Sequence, residues 1–137
     1  MIIRYLLVSV GSGILFAVMD SVINANPLAR NLFSVFEPIA RKSINIPLGI
    51  TIDIFYGFAM AGTFLLLRRS LPGESPVAKG LFFGLLVWFF RVAMQVASQS
   101  MMYAVPVPTS LYMLISGLIE MLILGLIYGA AFKTPYK

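Results

Sequence analysis

The 137-residue chain contains no cysteine and no histidine. The first absence excludes disulfides, thiol catalysis and thiolate metal sites. The second excludes histidine-ligated zinc or haem, and it removes the commonest catalytic base. Charge is scarce as well. Asp, Glu, Lys and Arg make up 11% of the residues, whereas soluble domains carry about 25%. Hydrophobic residues make up 60%. That is the composition of a chain solvated by lipid rather than water.

At about 20 residues per span, this length holds four membrane helices and no separate soluble domain. The sequence therefore predicts an all-α polytopic membrane protein, a single transmembrane domain covering 1–137. Its spans fall at about 2–24, 48–67, 79–102 and 109–132. Helices are required because an open strand edge is not satisfied in hydrocarbon. The apolar runs also lack the alternation of a transmembrane barrel. Arg4 and the apolar run after it have the layout of a secretory signal, but the run is long and contains Gly11, Gly13 and Asp20. The stretch from Ile23 to Pro27 has no convincing small-x-small cleavage site, so a retained helix is expected.

The connections carry turn chemistry. Leu71-Pro72-Gly73 reads as a turn, and Ser75-Pro76 as an N-cap followed by an N1 proline. Pro106 and Pro108 precede the last span, with Thr109 or Ser110 expected as its cap. The loop from Ala25 to Pro47 is too long for a simple turn. Asn26-Pro27 looks like a helix start, and Leu28, Leu32, Val35, Phe36 and Ile39 then lie on one apolar face. A short interfacial amphipathic helix at about 27–40 is expected between spans one and two, ended or kinked by Pro38. It serves as a surface connector or, less simply, as a lid over the bundle mouth.

The net charge is +5. No basic run is long enough for a nucleic-acid patch, and the basic residues instead flank apolar runs, where they set topology and contact lipid headgroups. Arg4, Arg68, Arg69, Lys79, Lys133 and Lys137 fall on one side, and Arg30, Arg41 and Lys42 on the other. This bias predicts an integral protein of the plasma or inner membrane with both termini cytoplasmic.

Against this background, four ionisable residues stand out, one in each span: Asp20, Asp53, Arg91 and Glu120. Each costs roughly 2.5–3.5 kcal/mol at a helix centre, so each needs a partner, water or a ligand. Small and polar residues share their faces: Gly13, Ala17 and Asn24 with Asp20; Gly49 and Gly57 with Asp53; Gly84, Gln95 and Ser98, with Gln99 adjacent, near Arg91; Ser116 and Gly117 with Glu120. Helical rise places Arg91 and Glu120 each about 15 Å from their helix starts, near the midplane. Asp20 and Asp53 lie nearer the outer ends, so two layers are expected. Arg91 and Glu120 read as a structural ion pair that fixes register. Asp20, Asp53, Asn24, Gln95 and Gln99 are the candidate ligand- or ion-binding residues. One arginine does not neutralise three carboxylates, which points to proton or cation coupling.

Other features carry less. Gly13 precedes Asp20, and Gly84 precedes Arg91, by the same spacing; Asp53–Gly62 and Glu120–Gly129 also match. Glycine is common in membrane helices, so coincidence is the simpler account of this pattern than a repeat of helix pairs. Met94, Met101, Met102 and Met113 are soft-ligand candidates for Cu(I) but read as packing; no metal site, cofactor or catalytic residue is assigned. Trp88 is expected to pack inside the bundle, and Tyr5, Tyr103, Tyr112 and Tyr128 to sit at membrane interfaces.

Three functions follow. The first is proton- or ion-coupled transport of a small solute. The alternative is a non-enzymatic accessory or structural subunit of a larger membrane complex. The third is an intramembrane hydrolase using Asp20 and Asp53. Expected partners are membrane lipids and either further copies of the chain or another membrane protein, with no nucleic acid.

Overall fold

A computed structural model describes residues 1–133, so Lys137 of the orientation argument lies outside the described residues. The elements are α1 (Ile2–Ala25), α2 (Pro27–Leu32), a 3₁₀ segment (Phe33–Ile39), α3 (Ile46–Leu67), α4 (Pro76–Trp88), a π-helical turn (Phe89–Ala93), α5 (Met94–Met102) and α6 (Val107–Ala131). α4, the π turn and α5 form one continuous span from Pro76 to Met102, giving four membrane-length helices with α1, α3 and α6. The chain is a small integral membrane protein, and the outward faces of these helices contact lipid.

The helix starts follow their capping residues. Asn26, Asn45 and Ser75 each accept a hydrogen bond from the backbone N–H three residues on. Because of these caps, α3 and α4 begin two or three residues earlier than hydropathy alone indicates. α6 corrects the expected cap. It starts at Val107 with Pro106 at the N-cap position, and Pro108 fits inside the first turn, where an N–H is not needed. Thr109 is thereby freed, and its hydroxyl donates to the Leu32 carbonyl at 2.6 Å.

Two helix pairs build the bundle. α1 lies against α3, and α4 against α6, with α1 and α6 joining the pairs. Both close pairings depend on missing side chains. A Cβ on Gly57 would meet the backbone of Ser9 and Gly13, and one on Gly13 would meet Ile54 and the Asp53 carbonyl. In the second pair Gly80 faces Gly125, Gly129 faces Pro76 and Gly80, and Gly84 faces Met121. Without a hydrophobic drive between helices in lipid, such backbone approach is what dispersion packing requires. In each pair a first-helix glycine thus sits beside the acidic residue of the second helix, or one residue beyond it.

The core lies toward the end that carries the chain termini. Phe64 packs edge-on to Phe83 at 5.3 Å and stacks with Tyr128 and Phe132 at 6.2 Å each. Tyr128 is not interfacial as expected. It is fully buried, and its hydroxyl donates to Ser12 at 2.9 Å. Tyr5 and Tyr112 likewise turn their hydroxyls onto backbone carbonyls, of Phe58 and Ile23, while Tyr103 is exposed. Trp88 does pack within the bundle, donating to the Leu114 carbonyl at 2.9 Å. α3 and α4 approach less closely, and a groove separates them beyond the Phe64–Phe83 contact.

Glycine positions therefore differ sharply in tolerance. Gly57→Ala should force α1 and α3 apart and destabilise the protein by about 1–3 kcal/mol. Gly49→Ala, with nothing within 4 Å of the new Cβ, should be neutral or stabilising by about 0.5–1 kcal/mol. Thermal unfolding of both variants in mild detergent checks the contrast.

Candidate functional site

The π-helical turn is the local feature that sets the site. Its extra residue shifts the register of the third span across Phe89–Ala93, and Arg91 lies within that turn. There the Arg91 guanidinium packs against two rings that also touch each other, their centroids 5.6 Å apart. Its Cζ is 4.9 Å from the centre of Phe16 on α1 and 5.0 Å from that of Tyr56 on α3. Cation–π attraction of this kind is worth about 2 kcal/mol or more where water is excluded. A guanidinium is thus held by aromatic faces from two other spans.

Glu120 of α6 supplies the nearest opposing charge in this structure. Its Oε1 lies 4.0 Å from an Arg91 nitrogen. That is an ion pair without a hydrogen bond, because the distance is beyond hydrogen-bonding range. The partners differ in environment: the Glu120 side chain is 3% exposed and that of Arg91 29%.

The expected two layers do not form. Asp20 of α1 lines one cavity together with Arg91 and Glu120 and a second together with Asp53. The reason is side-chain reach across a narrow bundle. The glycine contacts draw α1 onto α3, so residues at different helical heights meet laterally. One ionisable side chain from each span thus joins a single cluster of three carboxyl groups around one guanidinium.

Two small cavities adjoin this cluster and share Asp20. One, of about 190 Å³, is lined by Asp20, Asn24, Arg91, Gln95, Ser116 and Glu120, with Phe33 at its wall. The other, of about 210 Å³, lies between α1 and α3 and includes Asp20, Ser21, Asn24 and Asp53. The remaining candidate, Gln99, is displaced from the cluster. It lines a neighbouring cavity of about 360 Å³ with Asn24, Phe33, Phe36 and Met113. Its buried side-chain oxygen has no hydrogen-bond partner among the described residues. Asn24, which lines all three cavities, donates its amide to the Asp20 carbonyl at 2.8 Å.

The segment between α1 and α3 covers this end of the bundle. Ala29 is fully buried, and Phe33 packs edge-on to Tyr112 at 5.6 Å. Tyr112 donates to the Ile23 carbonyl at 2.6 Å and accepts from Asn26 at 2.9 Å. The apolar face legible in the sequence mostly turns outward instead: Leu28 is 58% exposed and Ile39 83%. Pro38 lies within the 3₁₀ segment, which ends one residue later.

Phe16, Tyr56, Phe33 and Tyr112 were not among the sequence candidates. A signal existed for the first two. Phe16 lies four residues before Asp20, and Tyr56 three after Asp53, so each aromatic sits one helical turn from an aspartate on the same face. Nothing comparable marked Phe33. No family model matches the chain, and no curated protein or solved structure matches it.

The cap predicts a local effect. Tyr112→Phe removes a hydroxyl that links Asn26, Ile23 and α6. Amide exchange across 27–39 should quicken, with a loss of about 1–2 kcal/mol in local protection. Hydrogen–deuterium exchange read by mass spectrometry checks this, and exchange at the glycine contacts of α4 and α6 should stay unchanged.

Proposed function

We propose that the protein is a proton-coupled carrier of a small solute, operating through the cluster of Asp20, Asp53, Glu120 and Arg91. The observation that supports this best is the sharing of Asp20. Asp20 borders both small cavities, one shared with Glu120 and the other with Asp53. Carboxyl groups on three helices therefore border the path from one cavity to the other, with Asp20 placed to relay a proton between them. Full ionisation would leave the cluster with two uncompensated negative charges, which a low-dielectric setting opposes. Protons are the simplest balancing charge.

In this reading the covered end faces outward and the termini face the cytoplasm, as the distribution of Arg and Lys favours. The Ala29–Phe33 segment then acts as an outer lid. Arg91 and Glu120 hold the resting arrangement, and Asp20 and Asp53 carry the moving proton.

A second reading has one observation in its favour. Asp20 and Asp53 line one cavity, as a carboxyl dyad that shares a proton and activates water would. Asp20 also lines a cavity with Glu120, however, so the pair is not isolated as such a dyad requires.

The test uses purified protein in liposomes with a trapped pH-sensitive dye and an imposed pH gradient. Wild type should show protein-dependent proton flux, and Asp20→Asn or Asp53→Asn should lower it about 100-fold, as removal of a proton-transfer group does. Thermal stability of these variants should stay within about 1 kcal/mol of wild type. Unchanged flux in both variants would refute the proposal. Absence of flux together with stable copurification of another membrane protein would instead identify an accessory subunit. Cleavage of added membrane peptides that is lost in both variants would identify the dyad hydrolase.

A further inference from the structure

The groove between α3 and α4 is not used by the proton route. It has a volume of about 550 Å³ and opens laterally between two spans. Tyr56, Met60, Thr63, Phe83, Leu86 and Phe90 supply its walls. Gln95 and Arg91 close its polar end, and among the described residues that line it Arg91 alone is charged. Arg91 and Gln95 also line the small cavity that holds Asp20 and Glu120. The same guanidinium therefore faces an apolar groove on one side and a carboxyl cluster on the other.

We propose that this groove binds a single-chain amphiphilic carboxylic acid, with its carboxylate on Arg91 and its hydrocarbon tail between α3 and α4. This deepens the carrier reading by naming the class of solute, and it rests on that reading only for the step of transport.

Charge complementarity fixes the head of the ligand. A planar guanidinium presents a fork of N–H donors that matches a carboxylate. The Glu120 contact at 4.0 Å leaves such donors without a short bond from that partner, and the Arg91 side chain is partly exposed toward the groove. Size fixes the tail. From Phe83 to Gln95 the helix rises about 18 Å, so the mean cross-section is about 30 Å². A helix with side chains, 10–12 Å across, occupies roughly 80–110 Å² and does not fit. A diacyl phospholipid is also disfavoured, because its esters and headgroup would have to sit beside Arg91 at mid-span. A fatty acid brings only a carboxyl group to that depth.

Entry then needs no net charge to cross lipid. The neutral acid enters from the hydrocarbon, and its O–H proton passes across the Arg91–Gln95 edge shared by groove and cavity to the Glu120 carboxylate. The resulting ligand carboxylate replaces Glu120 as the counter-ion of Arg91. One O–H bond breaks and another forms, and the total charge of the site is unchanged. Binding is thereby tied to protonation of the carboxyl cluster.

The test measures binding of radiolabelled palmitate to the full-length protein in a neutral maltoside detergent. Wild type should bind saturably, and methyl palmitate, which lacks the acid, should not compete. Arg91→Gln should weaken binding about tenfold or more. As a second variant that spares the cluster, Thr63→Trp should fill the exposed groove wall and abolish binding while thermal stability in detergent stays within about 1 kcal/mol of wild type. Absence of saturable binding, or binding that survives both substitutions, overturns the inference. Equal competition by methyl palmitate, or stronger competition by phosphatidylglycerol, overturns the carboxylic acid as the ligand. Absence of palmitate binding by a wild-type protein that still carries proton flux overturns this inference and leaves the carrier reading standing.

Discussion

An arginine inside hydrocarbon is the constraint on which the rest depends. A guanidinium does not give up its proton at any ordinary pH, so it cannot become neutral to suit its surroundings. The protein has to neutralise it in place. It does so with two rings and a carboxylate drawn from three other spans: Phe16 from α1, Tyr56 from α3 and Glu120 from α6. Every membrane-length helix of the bundle thus contributes to one side chain. The π turn follows from the same demand. A regular helix would project residue 91 along a different direction, and the extra residue in Phe89–Ala93 allows the guanidinium to reach these rings without breaking the helix.

The aromatic contact depends in turn on the glycines. Phe16 and Tyr56 can both meet one guanidinium because α1 and α3 lie close enough for the two rings to pack together, 5.6 Å apart. That closeness is set by Gly13 and Gly57, where any Cβ would meet the opposite backbone. The second pair repeats the device with Gly80, Gly84, Gly125 and Gly129, and so fixes Glu120 opposite the Arg91 turn. Small residues in the helix seams beside the charges therefore control how the charges meet.

How much of this was legible in the sequence follows from which interactions are local. The four spans, the short segment after Asn26 and the Ser75 and Asn26 caps rest on hydropathy, spacing and capping chemistry, which act over a few residues. The choice of Asp20, Asp53, Arg91 and Glu120 as exceptional also needed only the cost of charge in lipid. Their assembly into one cluster was not legible. Depth along a helix axis gave two layers, because an axial coordinate takes no account of lateral side-chain reach across tightly paired helices. The apolar face of the 27–40 segment misled for a related reason. Hydrophobic periodicity finds the face that avoids water, but lipid satisfies that face as well as protein does. Leu28 and Ile39 accordingly turn outward, while small Ala29 and Phe33 make the docking contact.

The bundle is asymmetric in a way that bears on motion. α1 with α3, and α4 with α6, are closed by backbone-to-backbone contacts at glycine, where a shift of even an ångström either clashes or forfeits dispersion. The seam between α3 and α4 has no such contacts along the groove and is bridged by side chains, which change rotamer far more readily than backbones separate. Each helix pair is therefore the natural rigid unit, and the α3–α4 seam is the natural place for relative movement. Arg91 belongs to the second pair, while the rings it packs against, Phe16 and Tyr56, belong to the first. Movement at the seam must then loosen these contacts. The intramembrane arginine is in this way a joint between the two halves.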